Sequence, residues 1–158
     1  MKVNGKKYTS IWIEEDDRVF IIDQRWLPHE FKIVELVTIN DFAISIKDMW
    51  VRGAPLIGVT AAFCFAKSMQ NDNSDKSLEK IKAILLSTRP TAVNLHWAVK
   101  IMYELLINAD QDTRAEVALR KAKDILKRDI QSNNQIGKND YKIIKKIIDK
   151  KNNDKINN

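Results

Sequence analysis

MWVRGAPLIGVTAAFCFAKS, residues 49–68, places a charged side chain, Arg52, at the mouth of a run with almost no polar residue until Lys67. Pro55 suits the first turn of a helix, because its fixed φ fits and its missing N–H would be unpaired there anyway. From Pro55 to about Met69 the segment is apolar on every face, so the helix it forms should be buried all round. A helix of that kind needs other elements on every side, and the rest of the chain supplies them.

Upstream, Thr38 followed by Asp41 resembles a helix start. Ile39, Phe42, Ala43, Ile46 and Met49 then recur at helical spacing, and the helix stops around Gly53. Before it, Tyr8 to Ile13 and Arg18 to Asp23 are rich in β-branched and aromatic residues, and the polar run Glu14–Asp17 separates them. This reads as a hairpin. Phe31 to Val37 reads as a third strand, with Pro28 in the connection, where its missing N–H does no harm. Downstream, Ser74 is an N-cap for a helix with Leu78, Ile81, Leu85 and Leu86 on one face, ending before Pro90. Thr91 caps the next, with Val93, Trp97, Ile101 and Leu105 on one stripe. A fifth helix runs from about Thr113 to Ile130, and a last amphipathic segment spans Tyr141 to Ile148. The expected fold class is α+β, a small antiparallel β meander followed by a helical bundle. The expected division is a domain over 1–138, then a terminal helix and a disordered Lys/Asn-rich tail over 139–158.

The 158 residues are 44% hydrophobic and 30% charged, as in a globular protein with a core. The net charge of +6 is unevenly spread: residues 1–57 hold 8 basic and 9 acidic side chains, and residues 58–158 hold 19 and 12. The basic excess near the C-terminus comes without an aromatic or arginine cluster, which argues against nucleic-acid binding. The single cysteine, Cys64, excludes an internal disulfide and a cysteine-cluster metal site. No apolar run reaches bilayer-spanning length and no signal peptide is evident, so the expectation is a cytoplasmic protein without a membrane partner.

Arg52 opens the argument about chemistry. Val51-Arg52-Gly53-Ala54-Pro55 leads into a helix N-terminus, where free backbone N–H groups and the macrodipole favour an anion. Gly53 allows close approach to the backbone, and the guanidinium fork matches phosphate oxygens. Ser87-Thr88-Arg89-Pro90-Thr91 has the same grammar before another helix. Two such segments suggest a shared phosphate or sugar-phosphate pocket. The plainer alternative is that each arginine is a surface charge or caps a neighbouring helix. His29 and His96 have no partner at metal-ligand spacing. Cys64 reads as a small core residue rather than a nucleophile. The four tryptophans read mostly as core, with Trp50 a candidate wall of the pocket.

FIIDQRWLPHE (20–30), IKDMWVRGAPLIGVTAAF (46–63) and STRPTAVNLHWAVKIMYE (87–104) together resemble the methylthioribose-1-phosphate isomerases. That family belongs to the superfamily of the regulatory subunits of translation initiation factor 2B. The resemblance runs in order from about residue 8 to residue 148. It implies sugar-phosphate contacts by Arg52, Gly53, Ala54 and Arg89, and no cofactor or metal. It implies an aldose–ketose isomerisation of 5-methylthioribose 1-phosphate to methylthioribulose 1-phosphate, a step of methionine salvage. Family members are roughly twice as long, with a Rossmann-like second domain that carries the catalytic Cys and Asp. The expectation is therefore an N-terminal portion that lacks that domain, has no catalytic residue of its own, and is inactive alone. A separately encoded C-terminal half would complete it. The alternatives are a non-catalytic binding or regulatory module, in the manner of the translation-factor relatives, and a gene remnant.

Overall fold

Asn4 and Gly5 both adopt positive φ, at 48° and 80°, and turn the chain between two short antiparallel strands, β1 (Lys2–Val3) and β2 (Lys6–Lys7). Asn-Gly is the residue pair that such a turn demands, and the sequence reading passed over it. The computed structural model describes residues 2–156, with side chains through Asp149. The expected meander follows as β3 (Ile11–Ile13), β4 (Val19–Ile22) and β5 (Ile33–Leu36), antiparallel in the order β3-β4-β5, with Ile11 opposite Ile21 and Val19 opposite Leu36. Glu14–Asp17 forms the first turn, closed by the Glu14 N–H donating to the Arg18 carbonyl at 3.0 Å. Ile11, Val19, Ile21 and Leu36 face the core, whereas Trp12 and Phe20 stack at 5.7 Å on the other side.

α1 (Ile39–Lys47) starts at Thr38. The Thr38 hydroxyl accepts from the Asp41 N–H, and the Asp41 carboxylate accepts from the Thr38 N–H at 2.7 Å. This reciprocal pairing satisfies two otherwise free donors. α2 (Ala54–Asn71) has Pro55 in its first turn, and its residues from Leu56 to Ala66 are all buried. Cys64 is among them at 0% exposure. α3 (Asp75–Thr88) is capped by Ser74, whose hydroxyl accepts from the Ser77 N–H. α4 (Val93–Ile107) begins at Ala92, without a side-chain cap, so Thr91 does not serve that role. Nor do Val93, Trp97 and Leu105 face inward: they are 77%, 47% and 37% exposed. The buried face is Leu95, Ala98, Val99, Met102 and Leu106. α4 is apolar on both stripes, and burial selected the one bearing Ala98, which fits closely against α2. Nor are the tryptophans mostly core: Trp26 and Trp97 are exposed and Trp12 and Trp50 half-buried.

α3 and α4 run in opposite directions. Tyr103, late in α4, donates to Glu79, early in α3. Asn73, just before α3, donates to the carbonyl of Gln111, beyond the end of α4, at 3.0 Å. Gly58 and Asn94 bring the first turns of α2 and α4 together, and Arg114 donates both to the Asn73 carbonyl just past α2 and to the Ile107 carbonyl at the end of α4, so α2 and α4 share a direction. Gly58 fixes their approach: a Cβ built there would lie 3.1 Å from the Asn94 carbonyl and 3.6 Å from the Ala98 Cβ.

After a 3-10 turn (Gln111–Thr113), α5 runs without a break over Arg114–Ile156, so the two separate helical segments expected here are one. Arg114 is almost fully buried; it pairs with Asp75 at 2.7 Å and donates to the Asn73 carbonyl at 2.8 Å. The chain divides into two units within α5. The first ends at Ile125 and contains everything above. The second is the helical stretch from Leu126, on which Ile136, Ile143, Ile144, Ile147 and Ile148 are exposed. No parallel sheet occurs among the described residues.

Gly58→Val is expected to destabilise the fold by about 1–3 kcal/mol, the usual range for overpacking, measured as a lower midpoint in urea at unchanged slope.

Candidate functional site

The backbone leading to Arg52 is held on two sides. The Trp50 and Val51 N–H groups both donate to the Ser45 carbonyl in α1, at 2.9 and 3.2 Å. The Trp50 carbonyl accepts from the Gln24 N–H, just beyond β4, at 2.9 Å. The chain then swings outward. Arg52, Gly53, Ala54 and Pro55 are exposed. Gly53 is the N-cap of α2, with φ 96° and ψ 131°. Its Cβ would meet nothing, so the demand for glycine is conformational: that backbone angle strains any residue with a side chain. Gly53 offers α2 no side-chain cap, which leaves N–H groups of the first turn free for another acceptor.

Arg89 is the half-buried C-cap residue of α3 and lies in the loop before α4. Its segment turns tightly, with the Ala92 N–H donating to the Arg89 carbonyl at 3.0 Å. α2 and α4 share a direction and touch at Gly58 and Asn94, so their N-termini lie at one end of the first unit. The two arginine-bearing segments meet the bundle there. Among the described residues, neither the Arg52 nor the Arg89 guanidinium makes an ion pair or a hydrogen bond to a side chain or carbonyl; Arg128, exposed on α5, makes none either, whereas Arg18, Arg25, Arg114 and Arg120 are each ion-paired. Neither arginine caps a neighbouring helix through its guanidinium.

A separate hollow of about 400 Å³ lies between α3 and α4, lined by Lys82, Leu86, His96, Val99, Lys100, Tyr103 and Glu104. It includes neither arginine. His96 uses Nε2 on the Pro90 carbonyl at 2.7 Å, and His29 is exposed. Burial pushes the Cys64 thiol up to about 12, which makes it a poor nucleophile and a poor acid. No group of His, Cys, Asp or Glu side chains among the described residues could hold a metal ion. No helix is long and apolar enough to cross a membrane, again among the described residues.

Residues 50–156 match the initiation factor 2 subunit family. The chain belongs to that family. It is 51% identical over 152 residues to a methylthioribose-1-phosphate isomerase of Sinorhizobium medicae, covering 96% of this chain and 42% of that protein. Its identity to the isomerase of the same name in Escherichia coli O45:K1 is 41%. This family member thus corresponds to the N-terminal part of those relatives and spans 42% of the first one's length. Two solved structures are similar. The 5-methylthioribose 1-phosphate isomerase of Pyrococcus horikoshii matches at TM-score 0.67 and 34% identity, over 73% of this chain and 35% of that one. The translation initiation factor eIF-2B subunit delta of A. fulgidus matches at TM-score 0.69 and 29% identity, over 77% and 37%.

Sequence reasoning missed Asp23 and Arg25, which flank the site segment. The Asp23 side chain is 3% exposed and pairs with Arg25 through Nη2 at 2.7 Å and Nε at 3.0 Å. Burial pushes the Asp23 carboxyl up, but hydrogen bonds from the Arg25 side chain and backbone outweigh it and hold the group below the usual carboxylate range. A depressed folded-state pKa adds stability above the unfolded value of about 3.9, and that stability is lost as pH falls through the folded value. The difference in unfolding free energy between wild type and Asp23→Asn is therefore expected to hold steady above about pH 5 and to shrink progressively as pH falls below it. Denaturant titrations at several pH values measure it.

Proposed function

We propose that the chain supplies the phosphate-binding half of a sugar-phosphate isomerase site, with 5-methylthioribose 1-phosphate as the ligand. Arg52, the Gly53 and Ala54 backbone and Arg89 contact the phosphate. The observation that carries this reading is that, among the described residues, two guanidinium groups have no protein partner, in segments that enter two co-directional helices at the same end. A site of this kind costs little reorganisation when an anion arrives, since the positive potential is already in place. The 51% identity to an isomerase of this substrate supports the ligand.

Aldose–ketose isomerisation moves hydrogen between C1 and C2. In an aldose 1-phosphate the anomeric oxygen carries the phosphate, so the ring cannot open as an ordinary hemiacetal does. The reaction needs a positioned acid/base and a shielded pocket. Phosphate binding supplies positioning. Cys64, the only cysteine, is sealed in α2 and unsuited to proton transfer. The resemblance to the isomerases puts the proton-transfer groups in the part of the relatives that this chain does not span, in the same polypeptide or in a separately encoded half. By itself the chain binds and does not turn over.

The likeness to the A. fulgidus translation factor subunit favours a second reading, a non-catalytic module that binds a phosphorylated ligand for regulation. Both readings share the anion site. They part over whether any downstream polypeptide restores isomerase activity.

Calorimetric titration with 5-methylthioribose 1-phosphate tests the site. Arg52→Ala and Arg89→Ala are each expected to weaken binding about 10- to 100-fold, the worth of one charge-assisted contact. No heat with the wild-type chain, or turnover by that chain alone, would overturn the reading.

A further inference from the structure

We infer that Arg25 is a positioning residue for the Arg52-Gly53-Ala54 segment, locking it through Trp50; this rests on the reading of that segment as the phosphate site. Arg25 and Trp50 lie far apart in sequence, yet the Arg25 guanidinium sits over the Trp50 ring at 4.5 Å. The guanidinium cannot drift. Asp23, 2% exposed as a residue, grips it with both carboxylate oxygens and also accepts from the Arg25 backbone N–H at 3.1 Å. A carboxylate buried that deeply needs its cation, which fixes the fork in place. The planar fork is rigid in a way that a lysine ammonium is not.

Trp50 depends on that plate. Its indole Nε1 is buried with no hydrogen-bond partner among the described residues, so packing and Arg25 locate the ring instead of a bond of its own. The backbone neighbour Gln24 clamps the Trp50 carbonyl at 2.9 Å. Residues 23–25 therefore hold Trp50 by main chain and side chain together. Two residues on stands Arg52, exposed and, among the described residues, without a side-chain partner; Val51 before it is tied to the Ser45 carbonyl, so Trp50 and Val51 together set where its backbone starts. An exposed cation on a loosely held segment loses affinity to the entropy of ordering it. Fixing Trp50 removes that loss in advance. Arg25 acts on the ligand through Trp50 and not by contact.

Amide exchange by NMR on the intact chain tests this, paired with calorimetry on 5-methylthioribose 1-phosphate. Arg25→Lys keeps the charge and loses the fork. It is expected to speed exchange of the Trp50 and Val51 amides about fivefold or more relative to the rest of the first unit, and to weaken ligand binding by a similar factor. Arg18→Lys is the control. Arg18 is also paired with carboxylates, at 2.6 and 3.0 Å, and sits over Phe20 at 5.2 Å. It is expected to leave both readouts at Trp50 unchanged. If Arg25→Lys fails to fold, the uncharged pair Asp23→Asn with Arg25→Gln replaces it. Unchanged exchange at Trp50 and Val51 overturns the inference, and so does acceleration spread evenly through the unit. Absence of ligand heat in wild type would sink the phosphate reading alone, and the exchange result would still decide whether Arg25 governs the loop.

Discussion

The absence of a side chain at Gly58 is the constraint on which the site end of the molecule depends. A Cβ there would press to 3.1 Å from the Asn94 carbonyl, so α2 and α4 approach more closely than a side chain at that position would comfortably allow. They also point the same way, which places two like dipole ends together. Arg52 and Arg89 stand at that end, neither paired with a carboxylate among the described residues, and under the proposed reading their charge adds to the dipoles. An anion relieves this arrangement; a protein side chain among the described residues does not. Burial all round α2 provides the rigidity, because α1, α3 and α4 all pack against it.

Much of this was legible beforehand, and the reasons differ by element. Thr38 with Asp41, Ser74, and Pro55 are local signals whose physics involves only neighbouring residues, and all three operate as read. The meander was legible because Glu14–Asp17 is too polar to be anything but a turn. α4 was misread because its apolar residues surround it. Periodicity could not choose between the Val93–Trp97 stripe and the Leu95–Ala98 stripe. The deciding quantity was the room beside Gly58, a long-range fact. The break expected near residues 131–140 is absent because polar residues and one glycine in an exposed helix lower its stability without stopping it; Gly137 costs about 1 kcal/mol and meets no steric obstacle.

At the site the same division holds. Arg52 and Arg89 could be proposed from the sequence because each stands just before a Gly- or Pro-marked helix start, a pattern written in adjacent residues. Asp23 and Arg25 were not, because the meaning of Arg25 comes from a ring that the chain brings to it only after β5 and α1 have been built. The relatives place this bundle in proteins named for an isomerase and for a translation factor subunit. One fold can serve both, since a fold does not by itself fix a function.

Cys64 has a practical corollary. The chain carries a single sulfhydryl, wholly enclosed and held in its unreactive protonated form at neutral pH. For maleimide labelling the native polypeptide is accordingly a blank. A cysteine introduced anywhere on its surface would be the sole point of attachment, so fluorophores or spin labels could report on individual loops without first removing a native thiol from the core.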